Sequence, residues 1–273
     1  MNIIEKILYA LQFEIERPSS YGLFHLACIL ISIGALIYLV KRKEKDHEKA
    51  LKRILLVYGV GALTLELLKQ IIWSFNYDST LNTVTWDYQW YAFPFQLCTT
   101  PIFVSIICAF LKGGKVRNSL LSYMAFTTIL GSLATAIYPE ACFVRTLLID
   151  IHTMYLHLGS LVVSLYLLIK HDVDIKFKNL INGYYVFLLF AFIAEIMNII
   201  IYKSGILGDE TFDMFYISPY FTSSLPLFDT IQNKTPFILF LFIYLFAIFI
   251  GSLVVWSIAK LINKLKKNKK SRK

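Results

Sequence analysis

The sequence predicts an all-α polytopic membrane protein, a seven-transmembrane-helix bundle with its N-terminus outside and its C-terminus cytoplasmic. Three observations carry this. Hydrophobic residues make up 57% of the 273 positions and charged residues only 16%, against about 45–50% and roughly 25% in a soluble domain. The apolar residues fall in runs of about twenty, the length that crosses a hydrocarbon core. Lys and Arg alternate between rich and poor connecting segments.

Taken in order, residues 1–20 form an outer interfacial segment in which Ile4, Ile7, Leu8 and Leu11 recur at helical spacing. Glu5, Glu14 and Glu16 interrupt it, so it does not read as a cleavable signal peptide. The transmembrane domain, 21–260, has spans at 21–40, 54–73, 92–111, 120–138, 147–169, 182–202 and 236–260. Backbone amides in lipid must be satisfied within the segment, so these runs are helices, and the alternating strands of a barrel are absent. The segment 203–235 is rich in aromatics, including Phe212, Phe215, Tyr216, Tyr220 and Phe221. It reads either as an aromatic belt at the interface or as a lid over the bundle. A basic tail, 261–273, closes the chain.

The net charge of +9 is a topology signal. Seven Lys and Arg lie between Lys41 and Arg53, three between Lys112 and Arg117, three between Lys170 and Lys178, and eight between Lys260 and Lys273. The alternate segments carry two, none, one and two. This positive-inside pattern places a multi-pass chain in a cell membrane, with anionic lipid as the partner of the basic loops. It argues against a nucleic-acid partner. The four cysteines, Cys28, Cys98, Cys108 and Cys142, form no CxxC pair, so neither a disulfide framework nor a structural zinc site is expected.

Ionisable groups at membrane depth cost at least about 2.5–3.5 kcal/mol each and are functional candidates by default. Here they are His25, Glu66, Lys69, Asp150, His152, His157 and Glu195, with Gln70, Gln96 and Asn198 as neutral companions. Counting down each span at about 1.5 Å per residue, His25 lies roughly 6 Å below the outer surface, Cys98, Glu66 and Glu195 about 10 Å, and His157 about 15 Å. Polar groups thus gather in the outer half, which an outward-opening polar cavity would explain. Structural readings compete. Glu66 and Lys69, three apart, suit an internal salt bridge; Glu195 and Asn198 suit interhelical hydrogen bonds; Cys28 and Cys108 read as packing residues.

Cys98 stands in the run Phe93-Pro94-Phe95-Gln96-Leu97-Cys98-Thr99-Thr100-Pro101, between two helix-breaking prolines. A distorted turn near the outer surface suits a reactive thiol, which needs a base or positive potential to become thiolate. A histidine from another helix would supply it, His157 first and His25 or His152 as alternatives. A zinc hydrolase built on Asp150, His25, His152 and His157 is a second enzyme reading, weakened by the five-residue spacing of His152 and His157. A small transporter or receptor governed by Glu66, Lys69 and Glu195 is a third.

The run Phe93 to Cys98 resembles the Leu-Pro-(Leu/Phe)-(His/Gln)-Leu-Cys signature of the YwaF-like integral membrane family, which is related to the transmembrane protein 164 acyltransferases. Tyr138-Pro139, the His157 span, Met197-Asn198, Met214 to Pro219 and Leu225 to Asp229 are similar to further motifs of that family, in the same order. The first motif residue is Phe93 rather than Leu, and Gln96 stands where many members have His. The resemblance implies a cysteine-dependent phospholipid acyltransferase with catalytic Cys98 and His157. It would use a membrane phospholipid donor, a lysolipid or similar acceptor, and no cofactor or metal. Gln96, His25, Glu66, Lys69, Asp150, His152, Glu195 and Asn198 are the cavity or supporting residues. Candidate oxyanion donors are the backbone amides around Leu97 to Thr99, or Gln96.

Overall fold

The structure is a computed structural model that describes residues 1–271; the last two residues of the basic tail, 272–273, lie outside the described residues. It is almost wholly helical, as an apolar chain in lipid must be. Helix α1 (Ile3–Leu11) opens with a capping box: Glu5 N donates to Asn2 Oδ1 at 2.9 Å and Asn2 N to Glu5 Oε2 at 2.6 Å. Its Leu8 is buried while Ile3, Ile4 and Ile7 face outward, the arrangement of a helix lying on an interface. Gln12, just past α1, ties it to the bundle by donating to Ile72 O and Phe75 O.

Helices α2 (Leu23–Lys41) and α3 (His47–Ser74) run in opposite senses and are joined by a short basic loop. Asp46 caps α3 by accepting from Lys49 N at 3.1 Å. After α3 the chain forms a hairpin that the sequence reading did not foresee, β1 (Phe75–Asp78) paired antiparallel with β2 (Thr83–Trp86). Each strand has four residues and is mostly exposed, too short for a readable alternation of period two.

The expected span 92–111 is the main departure. Only α4 (Thr100–Phe110) is regular, and its 11 residues cover about 16 Å, half of a hydrocarbon core of about 30 Å. Pro101 sits in the first turn of α4, where a missing N–H costs nothing. Upstream, Trp90–Ala92 makes one 3-10 turn, and 93–99 is irregular backbone in which Phe93, Phe95, Gln96 and Thr99 N find partners within the segment or just before it. Among the described residues six helices are therefore long and apolar enough to cross a membrane, with α4 as a shorter seventh.

Next come α5 (Lys115–Tyr123) and α6 (Ile129–Ile137), joined without a break by a π-turn over Met124–Thr128. Helices α7 (Leu147–Ile169) and α8 (Phe177–Ser204) follow. A loop then holds the short α9 (Phe228–Lys234) before α10 (Phe237–Ser271). Helix α3 packs on α4 and α7, α2 on α7, α5 on α8, and α10 on α8 and the π-turn. Close approach of α8 to α5 depends on Gly183, where a Cβ would meet the Ser122 and Tyr123 backbone at 2.7 Å.

The segment 203–235 does not lie flat at an interface. Phe212, Met214, Phe215 and Ile217 are at most 1% exposed and belong to the main core with Tyr58, Tyr123, Phe187 and Tyr244. Of the two expectations for this segment, packing back onto the bundle is the one realised. Phe215 and Tyr216 hold positive φ values of 61° and 60°, strain of order 1–3 kcal/mol each that only over-determining contacts sustain.

Candidate functional site

The ionisable candidates on α2, α3, α7 and α8 lie toward the end of the bundle where α3 and α8 finish and α2, α4 and α7 begin. They form separate hydrogen-bonded groups. The first is ionic. Glu66, 1% exposed, receives Lys69 Nζ at 2.6 Å and meets His152 Nε2 at 2.8 Å. Gln70 Nε2 donates to Glu66 Oε1 at 2.8 Å and to Ala92 O at 2.6 Å, and Lys69 Nζ also reaches Ala92 O. The intrahelical salt bridge expected of Glu66 and Lys69 is present. Its link to α7 through His152 needed the tertiary fold. His152 is left with Nδ1 buried and unpartnered.

The second group is built on the Cys98 turn. Thr99 N and Thr100 N both donate to Gln96 O, and Gln96 N donates to Thr99 Oγ1 at 2.8 Å, which closes a tight turn directly before α4. Thr100 Oγ1 donates to Leu97 O and is itself 2.6 Å from Tyr123 OH, so α5 braces the turn from below. The backbone N–H groups of Leu97 and Cys98 have no protein oxygen as partner among the described residues. Cys98 is half-buried against the main core. Lys69 and Glu66 lie within Coulombic reach of its thiol, as do the hydroxyls of Tyr58, Tyr123 and Tyr216.

Gln96 ties this turn to the 203–235 loop. Its Nε2 donates to Asp213 O at 2.8 Å and its Oε1 accepts from Phe215 N at 2.7 Å. Both ends of the amide are engaged by the 203–235 loop, which leaves one Nε2–H as its remaining donor. Thr99 N is committed to Gln96 O, which leaves Leu97 and Cys98 as the backbone donors of the turn with no protein oxygen as partner among the described residues. Asn198 repeats the clamp from α8: Nδ2 donates to Met214 O at 3.1 Å and Oδ1 accepts from Met214 N at 2.7 Å. Glu210 adds a third tie by accepting from Trp90 N at 2.6 Å. The neighbouring Glu195 has Oε2 buried without a partner.

His157 lies below His152 on α7, half-buried, with Nδ1 unpartnered and no hydrogen bond to Cys98. Tyr58 links the two regions: it donates to Leu156 O, beside His157 in the chain, at 3.2 Å, and lies within Coulombic reach of Cys98. His25 is fully buried against Phe143; its Nδ1 accepts from Tyr21 N and its Nε2 has no partner. Asp150 accepts from Val144 N and serves its own helix entrance. Among the described residues no group of three or more His, Cys, Asp or Glu is placed to hold a metal ion, which leaves the zinc reading without a ligand set.

Sequence reasoning missed Tyr58 and Tyr123. Their signal was visible as tyrosine hydroxyls within apolar runs, where each needs a partner.

The fold and this arrangement define an all-α, multi-pass membrane protein with a cysteine at a broken helix and polar groups gathered at one end. The model of the TMEM164 family matches residues 18–254, and the chain belongs to that family. No curated protein and no solved structure matches it.

Proposed function

We propose that this protein is a membrane lipid acyltransferase with Cys98 as nucleophile and His157 as base. The observation that carries the reading is the Cys98 turn. A half-buried thiol stands two residues before the start of α4, and the positive end of a helix dipole favours thiolate. Two N–H groups of the same turn, of Leu97 and Cys98, have no protein oxygen as partner among the described residues, the Cys98 N–H facing its own sulfur, and an oxyanion needs such donors. Tyr58 donates to Leu156 O, next to His157, and lies within Coulombic reach of the thiol.

In this mechanism His157 takes the thiol proton and the thiolate attacks the carbonyl carbon of a phospholipid ester. The tetrahedral oxyanion is met by the Leu97 and Cys98 N–H groups. It collapses to a thioester as the lysolipid alkoxide leaves and takes the proton from His157. An acceptor hydroxyl then gives its proton to His157 and attacks the thioester, which forms the new ester and returns the thiol. The loop held by Gln96 and Asn198 would exclude water, so that transfer outruns hydrolysis.

A second base is favoured by one specific contact. Glu66 orients His152 Nε2 at 2.8 Å, the carboxylate–imidazole pairing that holds a catalytic histidine in one tautomer. The test is acyl-chain exchange between a phospholipid and a lysophospholipid in membranes carrying Cys98→Ala, His157→Ala or His152→Ala. Cys98→Ala is expected to abolish exchange and His157→Ala to reduce it at least about 100-fold, the scale of general-base loss. A loss confined to His152→Ala would move the base to the Glu66–His152 pair. Undiminished exchange in Cys98→Ala would remove the mechanism.

A further inference from the structure

Helices α2 and α3 follow one another, yet they barely touch; each packs instead on α7. Between them runs a groove of about 410 Å3 floored by α7. Its α2 wall is Cys28, Ile31, Ser32, Ala35 and Leu39, and its α3 wall is Ala50, Ile54, Val57 and Tyr58. Both sets recur at helical spacing, so each is one continuous face. Small residues open the slot: Ala35 and Ala50 on the walls and Gly159 on the floor, where a Cβ would meet the Tyr58 ring at 2.9 Å. At the basic end the lining changes to Arg42, Glu44 and Arg53. Arg42 is held by Glu44 at 2.9 Å and by Tyr38 OH. Arg53 is exposed and has no ion-pair or hydrogen-bond partner among the described residues.

The geometry points to a binding site for one anionic glycerophospholipid of the leaflet at the basic end, with an acyl chain in the groove and the phosphate at Arg53. From Cys28 to Arg42 α2 rises about 21 Å, more than the roughly 15 Å of one leaflet's hydrocarbon, so a full chain is accommodated. A seam this deep must be filled by apolar matter, because an empty apolar slot forfeits its contacts. The unpaired Arg53 selects the sign of the head group, and a guanidinium suits phosphate geometry. Its head-group end, at Arg53, lies at the opposite end of the bundle from Cys98, and the site does not depend on acyl transfer.

The full chain in vesicles is exposed to phosphatidylglycerol carrying a diazirine on its acyl chain, or to phosphatidylcholine with the same chain, and the labelled residues are mapped by mass spectrometry. Label is expected on residues 31–35, 54–58 and 158–163, with phosphatidylglycerol favoured about fivefold, the worth of one basic residue at a surface. Ala35→Trp should abolish groove labelling. Arg53→Gln should equalise the two lipids while the groove stays labelled, and Cys98→Ala should label as the unaltered protein does. Label spread evenly over the outward face at Leu30, Ile33 and Ile37 would overturn the site. Equal labelling by both lipids in the unaltered protein would overturn the head-group assignment. Arg53 is exposed, so its variant reports even if Ala35→Trp fails to fold.

Discussion

Glu66 shows how a buried charge survives at membrane depth: it is surrounded by Lys69, His152 and Gln70 within 2.8 Å. Removing one partner of such a group leaves the others uncompensated, a loss of about 3–5 kcal/mol. Glu66→Ala should therefore lower the thermal transition sharply, followed by intrinsic fluorescence. Adding Lys69→Met should restore part of the loss, because the stranded cation is then gone. Additive losses in the double variant would mean that the two residues do not interact.

Asp213 offers a pH-dependent test in the loop. Burial is the main cause that pushes its carboxyl from 3.8 up to about 7; Glu195 adds to the rise, and the hydrogen bond from Ser218 N opposes it. The folded chain thus holds a proton that the unfolded chain has already released. Its contribution is intact below about pH 3.8 and lost as pH rises to about 7. Melting temperatures measured across pH 5 to 8 should fall, and Asp213→Asn, which keeps the acceptor for Ser218, should flatten that slope.

At the scale of elements, the 203–235 loop is held over the Cys98 turn by Gln96 and Asn198, each making two hydrogen bonds to its backbone. Truncating either leaves buried backbone groups unpaired, at about 1–3 kcal/mol. Gln96→Ala should make the loop labile to proteolysis and speed amide exchange at Phe215, with the helices unaffected. Phe215 and Tyr216, both at positive φ, are where release should begin. The broken helix at α4 belongs to the same scale. Pro94 and Pro101 announced a disturbance, but the sequence could not show that residues 92–99 of the expected span would leave the α-helix. That outcome depends on neighbours able to satisfy irregular backbone, such as Thr99 for Gln96 N and Glu210 for Trp90 N.

For the whole molecule, the Lys and Arg asymmetry predicts that the Cys98 end faces outward and the basic tail inward. Cys142 is exposed near that end. A membrane-impermeant maleimide added to intact cells should label it, with Cys142→Ser as the control, while a tag on the C-terminus should be reached only after permeabilisation. Labelling of the tag in intact cells would reverse the topology.

The helical class and the long spans were legible in the sequence because lipid leaves a chain one local solution: twenty apolar residues closing their own hydrogen bonds. The pairing of Glu66 with Lys69 was legible for the same reason, being internal to one helix. The β-hairpin at 75–86 was not, because strands of four residues carry no readable period. Nor was the joining of Glu66 to His152, the commitment of Gln96 to the loop, or the slot between α2 and α3. Each is a contact between segments 60 or more residues apart in the chain or a gap left by a third helix, and one-dimensional spacing holds no information about which faces meet. The sequence by itself determined that the chain lies in a membrane and that the helix is disturbed around Cys98, which the structure turns into a break. Only the tertiary structure decided which groups surround that break, because the depth of a residue follows from its own helix while its partners follow from how the helices pack.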